Sequence, residues 1–151
     1  MKLEICSDRE AMLTQTFDAP RGRVFEAFTQ PARLARWYGP PGMTLVVCEI
    51  ALHVGGSWRL VLRAPDGREH GFTGVYRAIE PGRIVRTERY EAFGPELVAT
   101  MTFDETDGRT AVSIALTYPS LADRDGHLAS GVVDGMTASF ARLDALLAGL
   151  A

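Results

Sequence analysis

Between Met43 and Tyr118 the chain runs through six segments rich in alternating apolar residues, separated by only a few turn residues. The segments read MTLVVCEIALHV, SWRLVLR, HGFTGVYRAIE, RIVRTERYEAF, ELVATMTFDE and TAVSIALTYP. Gly55-Gly56, Pro65-Asp66-Gly67, Pro81-Gly82, Gly94-Pro95 and Asp107-Gly108 stand between them, the residue types that tight turns require. A parallel crossover needs about a dozen residues or more, so connections this short predict an antiparallel meander, drawn as one strongly curved layer.

Parity along the strands predicts one dry face and one wet face. Trp58, Leu60 and Leu62 oppose Arg59 and Arg63; Leu97, Ala99, Met101 and Phe103 oppose Thr100, Thr102 and Asp104; Val112, Ile114, Leu116 and Tyr118 oppose Ser113 and Thr117. A dry face must be covered. The segment from Ser120 to the C-terminus carries Leu128, Val132, Met136, Phe140, Leu143, Leu147 and Leu150 at three- and four-residue steps, an amphipathic helix pattern. Gly131 and Gly135 fall inside that pattern, where each costs about 0.8–1 kcal/mol relative to Ala, so close approach of the sheet or space for a ligand is expected there.

Upstream, Ala11–Phe17 alternates as a half-buried strand. Asp18 is the expected N-cap of a short helix, with Pro20 in its first turn and Val24, Phe25 and Phe28 on its apolar side. A second short helix after Pro31 carries Leu34 and Trp37 and ends at Tyr38-Gly39-Pro40-Pro41-Gly42. Residues 1–10 read as an N-terminal segment and residues 11–151 as a single α+β domain. Its sheet has about seven strands around a long C-terminal helix, with two short helices after the first strand.

A chain of 151 residues, 46% hydrophobic and 23% charged, has the size of one ordinary globular domain and buries enough surface to fold without metals or disulfides. Fifteen Arg and one Lys, Lys2, are scattered against nineteen acidic residues for a net charge of −3. That pattern predicts no nucleic-acid partner. Cys6 and Cys48 have no ligand-type spacing and are expected to be free thiols. Met1–Glu10 lacks the apolar core of a signal peptide and no stretch has the length of a membrane span, so a cytoplasmic location is expected.

Several local signatures, in order and spacing, resemble the activator of heat-shock protein 90 ATPase homologue family of the START-like (SRPBCC, birch-allergen-like) superfamily. They are Phe17-Asp18-Ala19-Pro20 followed by Val24-Phe25 and Ala27-Phe28; Trp37-Tyr38-Gly39-Pro40; Gly55-Gly56-Ser57-Trp58 and Asp66-Gly67; and Gly74-Val75-Tyr76 with Ile79-Glu80-Pro81. Ser130-Gly131, Gly135-Met136 and Phe140-Ala141-Arg142-Leu143-Asp144 continue them. The chain departs from the family pattern at Ala51 and His53, where many members carry an acidic residue and an arginine, and at Val132-Val133, where many carry Met-Glu. The resemblance implies a helix-grip fold with a cavity between sheet and helix. It implies no single reaction, since related proteins include lipid carriers, aromatase/cyclases, antibiotic-sequestering proteins and a co-chaperone domain.

On that basis the expected activity is binding of a small hydrophobic or aromatic molecule. The expected lining is Trp37, Trp58, Leu60, Phe72, Tyr76, Tyr90, Met101, Phe103, Tyr118, Val132, Met136 and Phe140, with His53 as a polar contact. Taken singly, these side chains are equally the stuff of an ordinary core. The hydroxyls of Tyr76, Tyr90 and Tyr118 have two readings, into the pocket or toward solvent and backbone. His70 and His127 read as solvent-exposed. Glu49, Glu80 and Glu88 read as partners of Arg59, Arg77, Arg86 or Arg89 on the wet face. No catalytic residue, metal site or cofactor is assigned, because no nucleophile elbow, phosphate loop, dinucleotide fingerprint or metal-ligand spacing is present. Two alternatives stand beside ligand binding: regulation of a heat-shock protein 90 type chaperone ATPase, and a cyclase- or hydrolase-like enzyme with a polar cluster deep in the cavity. A homodimer is carried as a further expectation.

Overall fold

Each of the six meander segments pairs with the next, as the short turns require. The computed structural model describes residues 1–149; Leu150, the last member of the apolar stripe, lies outside them. The elements are β1 (Lys2–Ser7), β2 (Glu10–Phe17), α1 (Arg21–Thr29), α2 (Pro31–Leu34), β3 (Thr44–Ile50), β4 (Ser57–Arg63), β5 (Glu69–Glu80), β6 (Arg83–Tyr90), β7 (Leu97–Thr106), β8 (Arg109–Thr117), α3 (Leu121–Ala129) and α4 (Val132–Gly149). All neighbouring strands are antiparallel, in the order β1-β2-β8-β7-β6-β5-β4-β3. The architecture is α+β, an open antiparallel sheet packed against a long C-terminal helix.

The sheet has eight strands, not about seven. Lys2–Ser7 is the additional one, an edge strand whose Leu3 and Ile5 pair with Leu13 and Ala11. Its charged, alternating sequence hides it, because Ile5 stays 53% exposed and contributes little burial. Cys6 on this edge and Cys48 on the opposite edge strand β3 are both free thiols.

The parity of the meander holds. Trp58, Leu60 and Leu62 on β4, Leu97, Ala99, Met101 and Phe103 on β7, and Val112, Ile114 and Leu116 on β8 are all buried. From α4, Phe140, Leu143 and Leu147 are buried. α1 and the turn after α2 close one end of this core through aromatic rings: Phe25 and Phe28 both meet Phe103 edge-on at 5.5 Å and Phe28 meets Trp37 at 4.9 Å, while Phe17 of β2 meets Phe140 of α4 at 5.4 Å. Such edge-to-face pairs add roughly 0.5–1.5 kcal/mol each beyond burial.

Four local expectations are corrected. The C-terminal segment is two helices, because Gly131 adopts φ +89°, a left-handed conformation that ends α3 and that glycine alone enters without strain. The N-cap of α1 is Pro20, without a side-chain cap bond, while Asp18 turns outward toward Arg109. β3 stops at Ile50, leaving Leu52 and Val54 exposed in the turn before β4. α2 is also brief, so Trp37 lies beyond its end, yet it is anchored by donating Nε1–H to the Ala27 carbonyl at 2.9 Å.

The loop after Trp37 is tied to α4. Ser139 Oγ accepts from the Gly39 amide at 3.1 Å, and Arg142 donates to the carbonyls of Gly39 (2.8 Å) and Arg36 (3.3 Å). Gly39 itself has φ +98°, and a Cβ there would come within 2.8 Å of the Leu62 side chain. This strap places Tyr38 against the covered face of the sheet.

Candidate functional site

The pairing of β6 with β7 decides what lies under the helices. Ile84 faces Met101, Arg86 faces Ala99 and Glu88 faces Leu97, so a cation and an anion stand on the same face as the apolar core. Their side chains are only 13% and 19% exposed. This corrects the expectation that Arg86 and Glu88 pair on the wet face.

Arg86 is held by Trp58 and Glu88, with the buried Tyr76 hydroxyl beside it. Its guanidinium carbon lies 3.9 Å from the centroid of the Trp58 ring, the arrangement in which the ring quadrupole attracts a cation. Its Nη2 lies 3.5 Å from Glu88 Oε1, longer than the roughly 2.7–2.9 Å of a strong charge-assisted bond. Arg86 Nε is buried with no hydrogen-bond partner among the described residues. Trp58 is fixed in turn: its Nε1–H donates to the Thr87 carbonyl at 3.1 Å, and Val75 N–H donates to Thr87 Oγ1 at 2.9 Å. The indole reaches that carbonyl because position 74 is glycine. A Cβ there would overlap the Thr87 carbonyl and lie 2.7 Å from Trp58 Nε1.

A second polar pair comes from the other side. The Tyr118 hydroxyl and His127 Nδ1 are hydrogen-bonded at 2.6 Å, joining the end of β8 to α3. Ser120 sets the start of α3 by accepting from the Asp123 amide at 3.1 Å, which brings His127 over the sheet two turns later. Burial holds the His127 pKa below the ordinary imidazole value, opposed by the Glu88 carboxylate. Burial also pushes the phenols of Tyr38, Tyr118 and Tyr76 upward, and raises the Cys48 thiol. The three phenols are therefore protonated at neutral pH and can donate as well as accept hydrogen bonds.

A cavity of about 60 Å³ lies between the sheet and the α3–α4 segment. Arg86, Glu88, His127 and Tyr38 give it a polar side. Leu13, Phe28, Leu34, Leu60, Ala99, Met101, Ile114, Leu116, Val132, Met136 and the Trp37 ring make the rest apolar. A shallower groove of about 450 Å³ runs over Arg21, Phe25, Ile79, Glu80 and Glu105, open to solvent. No group of three or more His, Cys, Asp or Glu side chains among the described residues is arranged to hold a metal ion.

Of the residues proposed from sequence, the structure brings Trp37, Leu60, Met101, Val132 and Met136 to the cavity wall. Trp58 lies under Arg86, and Tyr118 behind His127. Phe103 and Phe140 belong to the aromatic cluster at the closed end. The Phe72 and Tyr90 rings lie 5.3 Å apart, tilted at 42°, toward the far end of β5 and β6, where Tyr90 also meets Phe93 and its hydroxyl bonds His70 Nδ1 at 2.8 Å. His53 is exposed in the β3–β4 turn, its Nδ1 3.1 Å from the Val54 carbonyl oxygen. His70 and His127, expected in solvent, are both part-buried and paired with tyrosines because strand pairing and the α3 start carry them inward. The polar side was missed, although Arg86 and Glu88 share parity with Ile84 in RIVRTERY.

An antiparallel sheet closed by a long C-terminal helix, with a cavity between them, defines the helix-grip class. A family model described as Activator of Hsp90 ATPase homolog 1-like protein matches residues 18–148, and the chain belongs to that family. Among solved structures, a Rhodobacter sphaeroides protein is similar with a TM-score of 0.93 at 28% identity, over 99% of each chain. A Mycobacterium smegmatis protein follows with a TM-score of 0.88 at 25% identity, over 97% of this chain and 96% of that one. DynU16, from the dynemicin biosynthetic locus, shares the fold at a TM-score of 0.71 and 22% identity, over 93% of this chain and 48% of that one. A search of curated proteins found no match. No helix among the described residues is long and apolar enough to cross a membrane.

Proposed function

We propose that the protein binds a small hydrophobic or aromatic molecule between the sheet and α4. The observation that carries this reading is the cavity itself: apolar on most sides, with polar groups gathered on one, the composition typical of ligand sites. At about 60 Å³ it holds a few waters but falls short of the roughly 300–1,000 Å³ of sites for drug-sized ligands. Binding therefore includes an opening. α3 is the element suited to move, since none of its residues is fully buried and it meets α4 at the left-handed Gly131. Met136, unbranched and adaptable, gives way beneath it.

Native mass spectrometry of gently purified protein tests the reading, with an extra mass that disappears on denaturation as the expected result. Met136→Trp should fill the cavity and abolish that mass while the protein stays folded. A retained mass in this variant would move the ligand elsewhere.

A second reading, chemistry on the bound molecule, is favoured by the Tyr118–His127 pair beside Arg86 and Glu88. Turnover abolished by His127→Gln with ligand affinity kept would establish it. Regulation of a chaperone ATPase rests on the family alone. Failure of the host's own chaperone to bind at tens of micromolar would remove it.

A further inference from the structure

We infer that the cavity selects an uncharged, largely apolar molecule bearing one carbonyl or hydroxyl oxygen, which accepts a hydrogen bond from the Arg86 guanidinium. This rests on the ligand-binding reading above and specifies its ligand class.

Arg86 lines the cavity, and its Nε, shielded while the cavity is closed, has no hydrogen-bond partner among the described residues, so the opening that admits a ligand must also uncover it. A buried N–H left unpaired, on a charged group above all, is costly, so native proteins rarely keep one without use. Glu88 touches the fork at one 3.5 Å contact and the Tyr76 hydroxyl lies beside it, which leaves part of its five-donor capacity free. The guanidinium is also fixed before any ligand arrives, stacked on Trp58, whose indole is itself bonded to the Thr87 carbonyl. A donor already in place loses little freedom on binding.

Charge sets the second half of the inference. Arg86 and Glu88 balance each other's charge, with side chains only 13% and 19% exposed. A ligand carboxylate would gain Arg86 but meet Glu88, and a ligand ammonium the reverse, so neither recovers the cost of losing its water where screening is weak. A neutral oxygen acceptor meets neither penalty. Leu60, Ala99, Met101, Leu116 and Met136 then receive the apolar body.

Three probes of similar size separate the possibilities: acetophenone with a neutral oxygen, ethylbenzene with none, and benzoate with a charge. Dissociation constants come from ¹H–¹⁵N titrations of the whole chain, which also report arginine Nε–H resonances. Acetophenone is expected to bind about tenfold tighter than either of the others. It should shift one Nε–H resonance, identified by its absence in Arg86→Lys, that ethylbenzene leaves in place. Ethylbenzene binding as tightly as acetophenone, or benzoate more tightly, overturns the inference while leaving the pocket intact. If none of the three binds, the pocket reading fails and the inference with it. Arg86→Met/Glu88→Gln, which removes both charges, should bind ethylbenzene and acetophenone equally; a preserved preference would place the acceptor elsewhere. Should the variants fail to fold, the ranking of the three probes on the native protein decides.

Discussion

Arg86 lies with its guanidinium 3.9 Å over the ring of Trp58, on the face of the sheet that the helices cover. The cation is thus built into the core from below, by an aromatic ring, and balanced from the side, by Glu88 two residues along the same strand. Removing the balance should be more harmful than removing the charge altogether.

Arg86→Met leaves Glu88 part-buried without its partner and is expected to lower the unfolding free energy by about 3 kcal/mol. Arg86→Met/Glu88→Leu replaces both with apolar groups and should recover most of that loss. Urea denaturation of the two variants gives the comparison, and a double variant as unstable as the single one would show that the ion pair itself stabilises the core.

Gly74→Ala tests the seat of Trp58. The added methyl would press on the Thr87 carbonyl, which is backbone and cannot swing aside. An overpacked position of this kind costs about 2 kcal/mol, a fall in Tm of roughly 4–8 °C for a chain of this size. Tryptophan fluorescence should shift red as the indole loses its place.

His127 should make stability depend on pH. Its folded pKa lies below the unfolded value near 6.5, because burial disfavours the imidazolium despite the nearby Glu88 carboxylate. Above about pH 6.5 the ring is neutral in both states and the full contribution is present. As pH falls from there toward the folded pKa, the unfolded chain takes up the proton first and stability is lost. Denaturant midpoints measured from pH 7.5 to 5 should decline in the native protein and decline less in His127→Gln. Parallel curves would place the proton-linked group elsewhere.

Gly131→Ala puts a side chain into a left-handed conformation at the α3–α4 junction. Space is not the obstacle, since nothing lies within 4 Å of the added Cβ. The expected loss is about 1 kcal/mol from backbone strain alone, and Gly131→Asn, which tolerates φ > 0, should lose less. Equal losses in thermal unfolding would contradict that assignment.

The meander could be read in advance because every turn carries its own glycine or proline, and because Trp58, Leu60 and Leu62 leave no doubt about which parity is dry. Elsewhere the local signal was ambiguous for definite reasons. Lys2–Ser7 buries so little that its alternation looks like a charged tail. RIVRTERY places arginines at both parities, Arg83 and Arg89 outward and Arg86 inward, so charge alone cannot tell the faces apart. Ile84 could have told them apart, through its register with Met101. Leu128 and Val132 fit one helical stripe by spacing, yet the left-handed Gly131 stands between them and resets the phase, which is how His127 comes to overlook the sheet.

The space beneath α3 and α4 also makes volume a variable of the folding equilibrium. Any part of the cavity of about 60 Å³ that water leaves unfilled is lost on unfolding, so the unfolded chain occupies less room and hydrostatic pressure pushes toward it, with volume changes of about −20 to −100 mL/mol for proteins generally. A molecule seated against Arg86 removes that compressible void. The contact proposed to hold the ligand would then also stiffen the domain against pressure.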